Sequence, residues 1–186
     1  MSESHPHWID DEQWTTIRRL VPVTCVDLVP VRAAASGADE FGLIERDSPF
    51  GLRWCQIGGR LRHGEPMRDG LLRHLQHTLS GLDVVLPPDP QPDYVMQWFP
   101  VLPPEDTVDY GYDPRQHAVA LCFLAEAAAG SAPTAVEGGE AVRFGWFSSV
   151  QVAAMDAELW PGTGAMIREI SRRWPRPASE PRAART

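Results

Sequence analysis

Apolar residues recur at helical spacing in two stretches of the chain and alternate or run unbroken in several others. Trp14, Ile17 and Val21, behind the acidic run Asp10, Asp11 and Glu12, predict a helix over residues 8–21, since carboxylates favour a helix N-terminus; Pro22 stops it. Residues 25–32 and 41–46 read as strands joined by a turn at 35–39. A short strand at 54–57 runs into Gly58-Gly59, and a loop ending in Gly64-Glu65-Pro66 leads to a helix over 67–79. On that helix Leu71, Leu72, Leu75, Leu79 and Leu82 fall on one side, Gly70, Arg73, His74 and His77 along one flank, and Thr78 on the border. A proline-rich connector at 86–92 precedes an aromatic strand at 94–101, and a second proline cluster at 100–104 leads to a polar loop with Tyr110 and Tyr112. Residues 117–126 have the unbroken apolar character of a buried central strand, and 141–147 make another. Ser148 or Ser149 can cap the closing helical segments, which include 166–174.

A length of 186 residues, 43% hydrophobic and 23% charged, fits one globular domain. The pattern divides it into an N-terminal helical extension (1–22), one folded domain (23–174) and a tail (175–186) with no core-forming residues, expected to be disordered. The formal charge of -8 argues against a nucleic-acid backbone as the main partner, which leaves a small-molecule ligand or a homodimer open. All 17 basic side chains are arginine; without lysine, Schiff-base, PLP and P-loop chemistry are excluded. Cys25, Cys55 and Cys122 sit among apolar neighbours and read as buried thiols. The longest uncharged apolar run, 118–125, is too short to span a bilayer, and the opening residues lack a signal-peptide pattern, so a cytoplasmic location without membrane contact is expected.

The most specific spacing lies in residues 59–81. Gly59 is followed after five residues by Glu65 and after seven more by Arg73, then by His74, Leu75, Gln76, His77, Thr78, Leu79, Ser80 and Gly81. This resembles the Nudix box, in which Gly, Glu and Arg at these intervals precede a Glu, a Glu-Glu pair and a Gly. Gly59, Glu65 and Arg73 match; His74, His77 and Thr78 stand where the box has its three glutamates, and the glycine comes one residue late. The order of strands and helices over about residues 24–174 also follows the family. The resemblance implies an α/β fold, an α/β/α sandwich around a mixed sheet. It also implies a cleft that acts on a nucleoside diphosphate linked to another moiety.

Such a linkage is cut by water while hard cations, held by carboxylates and a backbone carbonyl, neutralise the developing charge. Imidazole and hydroxyl supply no negative charge, so a divalent metal stays open as a cofactor but an ordinary Mg2+ site is not expected. Three readings of the histidines compete. His74 and His77 hold a softer metal together with the carbonyl of Gly58, with His63 as a further ligand; His74 is a general base; or both are surface residues of a helix that has lost its site. The resemblance puts Glu65 beside His74 in the catalytic set and gives Gly59 and Arg73 a structural role, the Glu65–Arg73 pair bracing loop against helix. Arg60 and Arg62 are candidate contacts for a phosphate or carboxylate. Trp98 and Phe99 are candidates for a flat ring, although only one of two strand neighbours can face a pocket. Glu126, Glu137 and Glu140 are candidates for a carboxylate from outside the box. Two functions follow: a Nudix-type hydrolase with altered metal or base chemistry, or a catalytically degenerate Nudix fold that binds a nucleotide-like ligand.

Overall fold

The computed structural model describes residues 9–35, 37–103 and 109–173. Helix α1 (Asp11–Leu20) begins behind Asp10, whose side chain accepts the Gln13 N–H, and ends where Val21 turns extended. Strand β1 (Val23–Ala33) follows and is buried over most of its length. The turn after it leads to β2 (Asp39–Arg46), β3 (Arg53–Cys55) and β4 (Ile57–Arg60). The sequence predicts a single strand at 54–57. Instead the chain changes partner at Gln56, because β3 pairs antiparallel with β2 while β4 pairs antiparallel with β1. Gln56 is left between the two ladders, its side chain available for other contacts.

Helix α2 (Met67–Thr78) carries the second half of the box. It ends one residue before Leu79, which opens the short β5 (Leu79–Ser80); Leu79 and Leu82 are still buried, but from strand and turn. Then come β6 (Val84–Val85), β7 (Tyr94–Phe99), β8 (Gly111–Tyr112), β9 (Ala118–Ala127), β10 (Thr134–Ala135) and β11 (Ala141–Ser148). Pro100 halts β7 two residues short of the predicted end. Ser148 caps α3 (Ser149–Ala154) in a reciprocal box with Gln151. Helix α4 (Thr163–Arg173) starts three residues ahead of the predicted segment. Trp8, Trp174 and the tail at 175–186 lie outside the described residues.

The main sheet is mixed, in the order β11-β2-β1-β9-β7-β8, with β3 attached to β2, β4 to β1 and β6 to β9; β5 and β10 pair separately. Parallel pairing of β1 with β9 runs from Val23↔Ala118 to Val31↔Glu126 and forms the spine. Along its other edge β1 pairs first with β4, at residues 25–28, and then with β2, at 31–33. Pro30, which has no N–H for a ladder, falls between the two pairings. Side chains alternate across β1. Val26 faces α2, where a Cβ on Gly70 would meet its methyl, whereas Asp27 faces the start of α4. The strand therefore lies between helical layers, as the sandwich requires.

Gly58 marks the tightest contact between β4 and β1. A Cβ there would overlap Asp27 Oδ1 and the Val26 carbonyl oxygen, backbone that cannot move aside cheaply. Gly58→Ala is expected to destabilise the fold by about 1–3 kcal/mol, as overpacking does. Urea unfolding measures it, and an unchanged midpoint would show that β4 is not held against Asp27.

Candidate functional site

Asp27 lies at the floor of a cavity of about 100 Å3, walled by Gln56, Trp98, Trp160, Arg46 and Arg115. It is 5% exposed, on a strand whose residues 25–31 are otherwise small or apolar. Gln56 Nε2 donates to Asp27 Oδ2 at 2.8 Å, and Thr163 Oγ1, at the start of α4, donates to Gln56 Oε1 at 3.3 Å. These contacts fix the Gln56 amide with its nitrogen toward the carboxyl. Burial pushes the Asp27 carboxyl up to about 7, opposed by the Gln56 hydrogen bond and the Arg46 charge and helped by Glu140.

The aromatic wall is held from behind. Trp160 Nε1 donates to the Tyr112 carbonyl at 3.0 Å. Trp98 lies so close to β8 that a Cβ on Gly111 would overlap its ring. Arg115 donates from Nε and Nη2 to the two oxygens of Asp113, each at 2.8 Å, and its guanidinium stands 4.8 Å from the Trp160 ring. The Arg46 guanidinium stands 5.8 Å from the same ring. Cys25 and Cys55 also border the cavity, but burial pushes both thiols up to about 12, and Cys122 is raised as well, so none is a ready nucleophile. All three are buried and unpaired, as the sequence predicts.

A wider groove of about 660 Å3 opens from the same Gly58-Gly59 stretch of β4, where the sequence pattern suggests a turn but the chain stays extended, and shares Arg46 and Arg115 with the cavity. Its α2 wall carries Arg73, His74, His77 and Thr78; Glu137 and Glu140 face them from the loop before β11. Arg73 grips Glu65 through Nε at 2.6 Å and Nη2 at 2.7 Å and also donates to the Arg60 carbonyl at 3.1 Å. Glu65 accepts the Arg62 N–H at 2.9 Å as well. Arg73 chiefly holds the Glu65 carboxyl down, to about 2, so this pair is a charged brace. His74 packs on Gly59, where a Cβ would come 2.8 Å from its Cε1. Its Nε2 is 3.2 Å from the Arg60 carbonyl, which only accepts, so Nε2 carries the proton. Burial and then Arg73 lower its pKa, leaving a neutral ring at pH 7.

Beyond Arg73 the helix wall takes part in a second network. Thr78 Oγ1 donates to Glu140 Oε1 at 3.4 Å, and the other Glu140 oxygen lies 2.5 Å from Arg46 Nη1. A hard divalent ion needs several oxygen ligands around one point. Here Glu140 is engaged by Arg46 and Glu65 by Arg73, and among the described residues no three His, Cys, Asp or Glu side chains converge as a ligand set. The residues present do not fit Mg2+. For a softer ion, His74, His77 and Gly58 share the groove, but His63 lies exposed on the loop and is not among its lining residues.

Other sequence candidates are placed elsewhere. Arg60 stacks on Trp14 with its guanidinium 4.4 Å from the ring, and neither it nor Arg62 lines the cleft. Trp98 faces the cavity, whereas Phe99 points away and stacks on His117 at 4.4 Å. Glu126 is exposed on β9, outside the groove. The reading of the sequence passed over Asp27, Arg46, Gln56, Asp113, Arg115 and Trp160. Only Asp27 carries a local signal, a lone acid inside an apolar strand run.

This arrangement, a mixed sheet between helices with the two glycines of strand β4 under the box helix and a cleft beside it, is the Nudix fold. A possible asymmetric diadenosine tetraphosphate (Ap4A) hydrolase from Jonesia denitrificans shares it with a TM-score of 0.66 and 25% identity, over 84% of this chain and 99% of that one. The Nudix domain of Shewanella oneidensis NrtR, solved with ADP ribose, matches at 0.58 and 19% identity, over 89% of this chain and 93% of that one. A Nudix hydrolase from Nitrosomonas europaea matches at 0.57 and 18%, over 82% and 90%. No curated protein matches the sequence. Within this fold class, the chain belongs to the family described as "Domain of unknown function (DUF4916)", which matches residues 4–171. Among the described residues no helix is long and apolar enough to cross a membrane.

Asp27 links the cavity to stability. The unfolded chain ionises this carboxyl near 3.8, whereas the folded chain keeps its proton to about 7. The native state thus binds more protons between those values, and stability falls as pH rises through that window. Asp27→Asn keeps the shape and still accepts from Gln56. It is expected to flatten this slope and to be more stable than wild type at pH 8 by at least about 1 kcal/mol, roughly 2–4 °C in Tm for a chain this long. Melts at pH 5 and pH 8 decide it; identical profiles would mean that the carboxyl is solvated.

Proposed function

We propose that this cleft binds a small nucleotide-like molecule, with a flat ring in the cavity against Trp98 and Trp160 and the remainder lying along the groove. The observation that carries this reading is continuity: an aromatic cavity with a hydrogen-bonding floor opens over Gly58-Gly59 into a groove bordered by Arg46, Arg73 and Arg115. Indole faces suit a heterocycle, and guanidiniums suit phosphate. The net charge of -8 favours a small ligand over a nucleic-acid backbone. The ADP ribose bound to the NrtR Nudix domain and the Ap4A named for the Jonesia protein are ligands of those proteins, and they define the class to screen.

A second reading, hydrolysis of a nucleoside diphosphate linked to another moiety, has one favourable observation, the neutral imidazole of His74 at the groove. The tied carboxylates weigh against the magnesium-dependent route. The test is a thermal-shift series with AMP, ADP ribose and Ap4A, with and without Mg2+. A ligand at a hundred times its Kd stabilises by about 2.7 kcal/mol, several degrees in Tm. A shift in metal-free buffer without turnover is the expected outcome. No shift from any of the three overturns the proposal, and Mg2+-dependent turnover of about 1–1000 per second would favour the hydrolase.

A further inference from the structure

We infer that the groove holds the phosphoryl group of its ligand between the guanidiniums of Arg46 and Arg115 without a divalent metal, and that Glu140 is an internal anion which the ligand displaces. The inference rests on the cleft being the ligand site, not on the ligand carrying a nucleoside.

Arg46 supplies the first observation. It stands at the end of β2, in the wall common to cavity and groove, and its Nη1 holds Glu140. Its Nε is buried with no hydrogen-bond partner. A buried N–H without an acceptor keeps its desolvation cost uncompensated, and an incoming oxygen would offset it. Arg115 supplies the second. Its Nε and Nη2 are taken by Asp113, which fixes the plane of the guanidinium in the same wall and leaves the Nη1 amino group outside that pair. An oxyanion with several oxygens can answer both groups at once.

Glu140 already models such a guest. Its two oxygens take one guanidinium N–H and the Thr78 hydroxyl, the kinds of donor that bind phosphate oxygens. Its side chain is 31% exposed, and it follows Gly138 and Gly139, the first at a φ of +72°. Being about a third exposed, the carboxylate has solvent on one side into which it can turn when a ligand takes its place. Positive charge that a metal would bring to phosphate is here built into the protein: Asp113 stays on Arg115, and the carboxylate held by Arg46, Glu140, is the one the ligand replaces.

Calorimetry with inorganic pyrophosphate in EDTA tests this on the full chain. Wild type is expected to bind, and Mg2+ to leave the affinity unchanged or to lower it by complexing the probe. Arg46→Gln and Arg115→Gln are each expected to weaken binding by about tenfold or more, the loss of a charge-assisted hydrogen bond. Glu140→Gln is expected to tighten it severalfold, since a competing anion is gone. A requirement for Mg2+, or weaker or equal binding by Glu140→Gln, overturns the inference; that variant alters one half-exposed side chain and keeps the test valid if an arginine variant misfolds. Pyrophosphate binding without any response to nucleotides would leave the clamp standing and overturn the nucleotide reading. No pyrophosphate binding would overturn the clamp, while the nucleotide reading is judged by its own thermal shifts.

Discussion

One edge of β1 serves two partners, and the geometry of the rest follows from that division. The strand cannot bond β4 and β2 over the same residues, so it takes β4 at 25–28 and β2 at 31–33, while β9 lines its other edge over 23–31. β3 and β4 occupy the space where β1 and β2 diverge, and the chain passes between them at Gln56. That crossing puts an amide beside Asp27 instead of in a ladder, and it puts Gly58-Gly59 at the junction of cavity and groove. The packing of α2 through Gly70, against Leu61 and Val26, brings the box helix over the same junction.

Two arginines with opposite duties give the cleft its character. Arg73 is consumed by Glu65, with both partners less than a fifth exposed, and this ion pair ties the loop to the helix. Arg46 is engaged at one amino group by a carboxylate that remains partly open to water. The first pair is a fastening and the second is a contact that can be exchanged. The groove, with His74, His77 and Thr78 on its helix wall, is therefore not electrically empty: its charge balance is one of guanidiniums held by carboxylates.

The fold was largely legible because its signals are local. The apolar run of β9, the Ser148 cap and the spacing of Gly59, Glu65 and Arg73 can each be read from a few neighbouring residues. The division at Gln56 was not legible, since it depends on which strands compete for β1 and β2, a fact that no short window contains. The same limit hid most of the cleft. Arg46 and Glu140 are brought together by the register of β2 with β11, and Trp160 meets Arg115 through the return of the chain toward α4. Trp98 and Phe99 illustrate the intermediate case: strand alternation requires them to part, but only the neighbouring β8 shows which one turns to the cavity. Glu137 and Glu140 show the reverse, residues visible as candidates whose location beside Thr78 came from tertiary structure alone.

Trp160 has a further consequence as an optical element. Two guanidinium charges flank its indole, at 4.8 and 5.8 Å, and its N–H is fixed to a backbone carbonyl. Indole emission responds to the local electric field, so movement of either cation changes the fluorescence of a ring whose own orientation is held. The cleft thus contains its own spectroscopic probe. With seven tryptophans in the chain, replacing those remote from the cavity, Trp14 and Trp146 among them, would narrow the emission to the cavity's own indoles, Trp98 and Trp160, and report the state of the groove without an added dye.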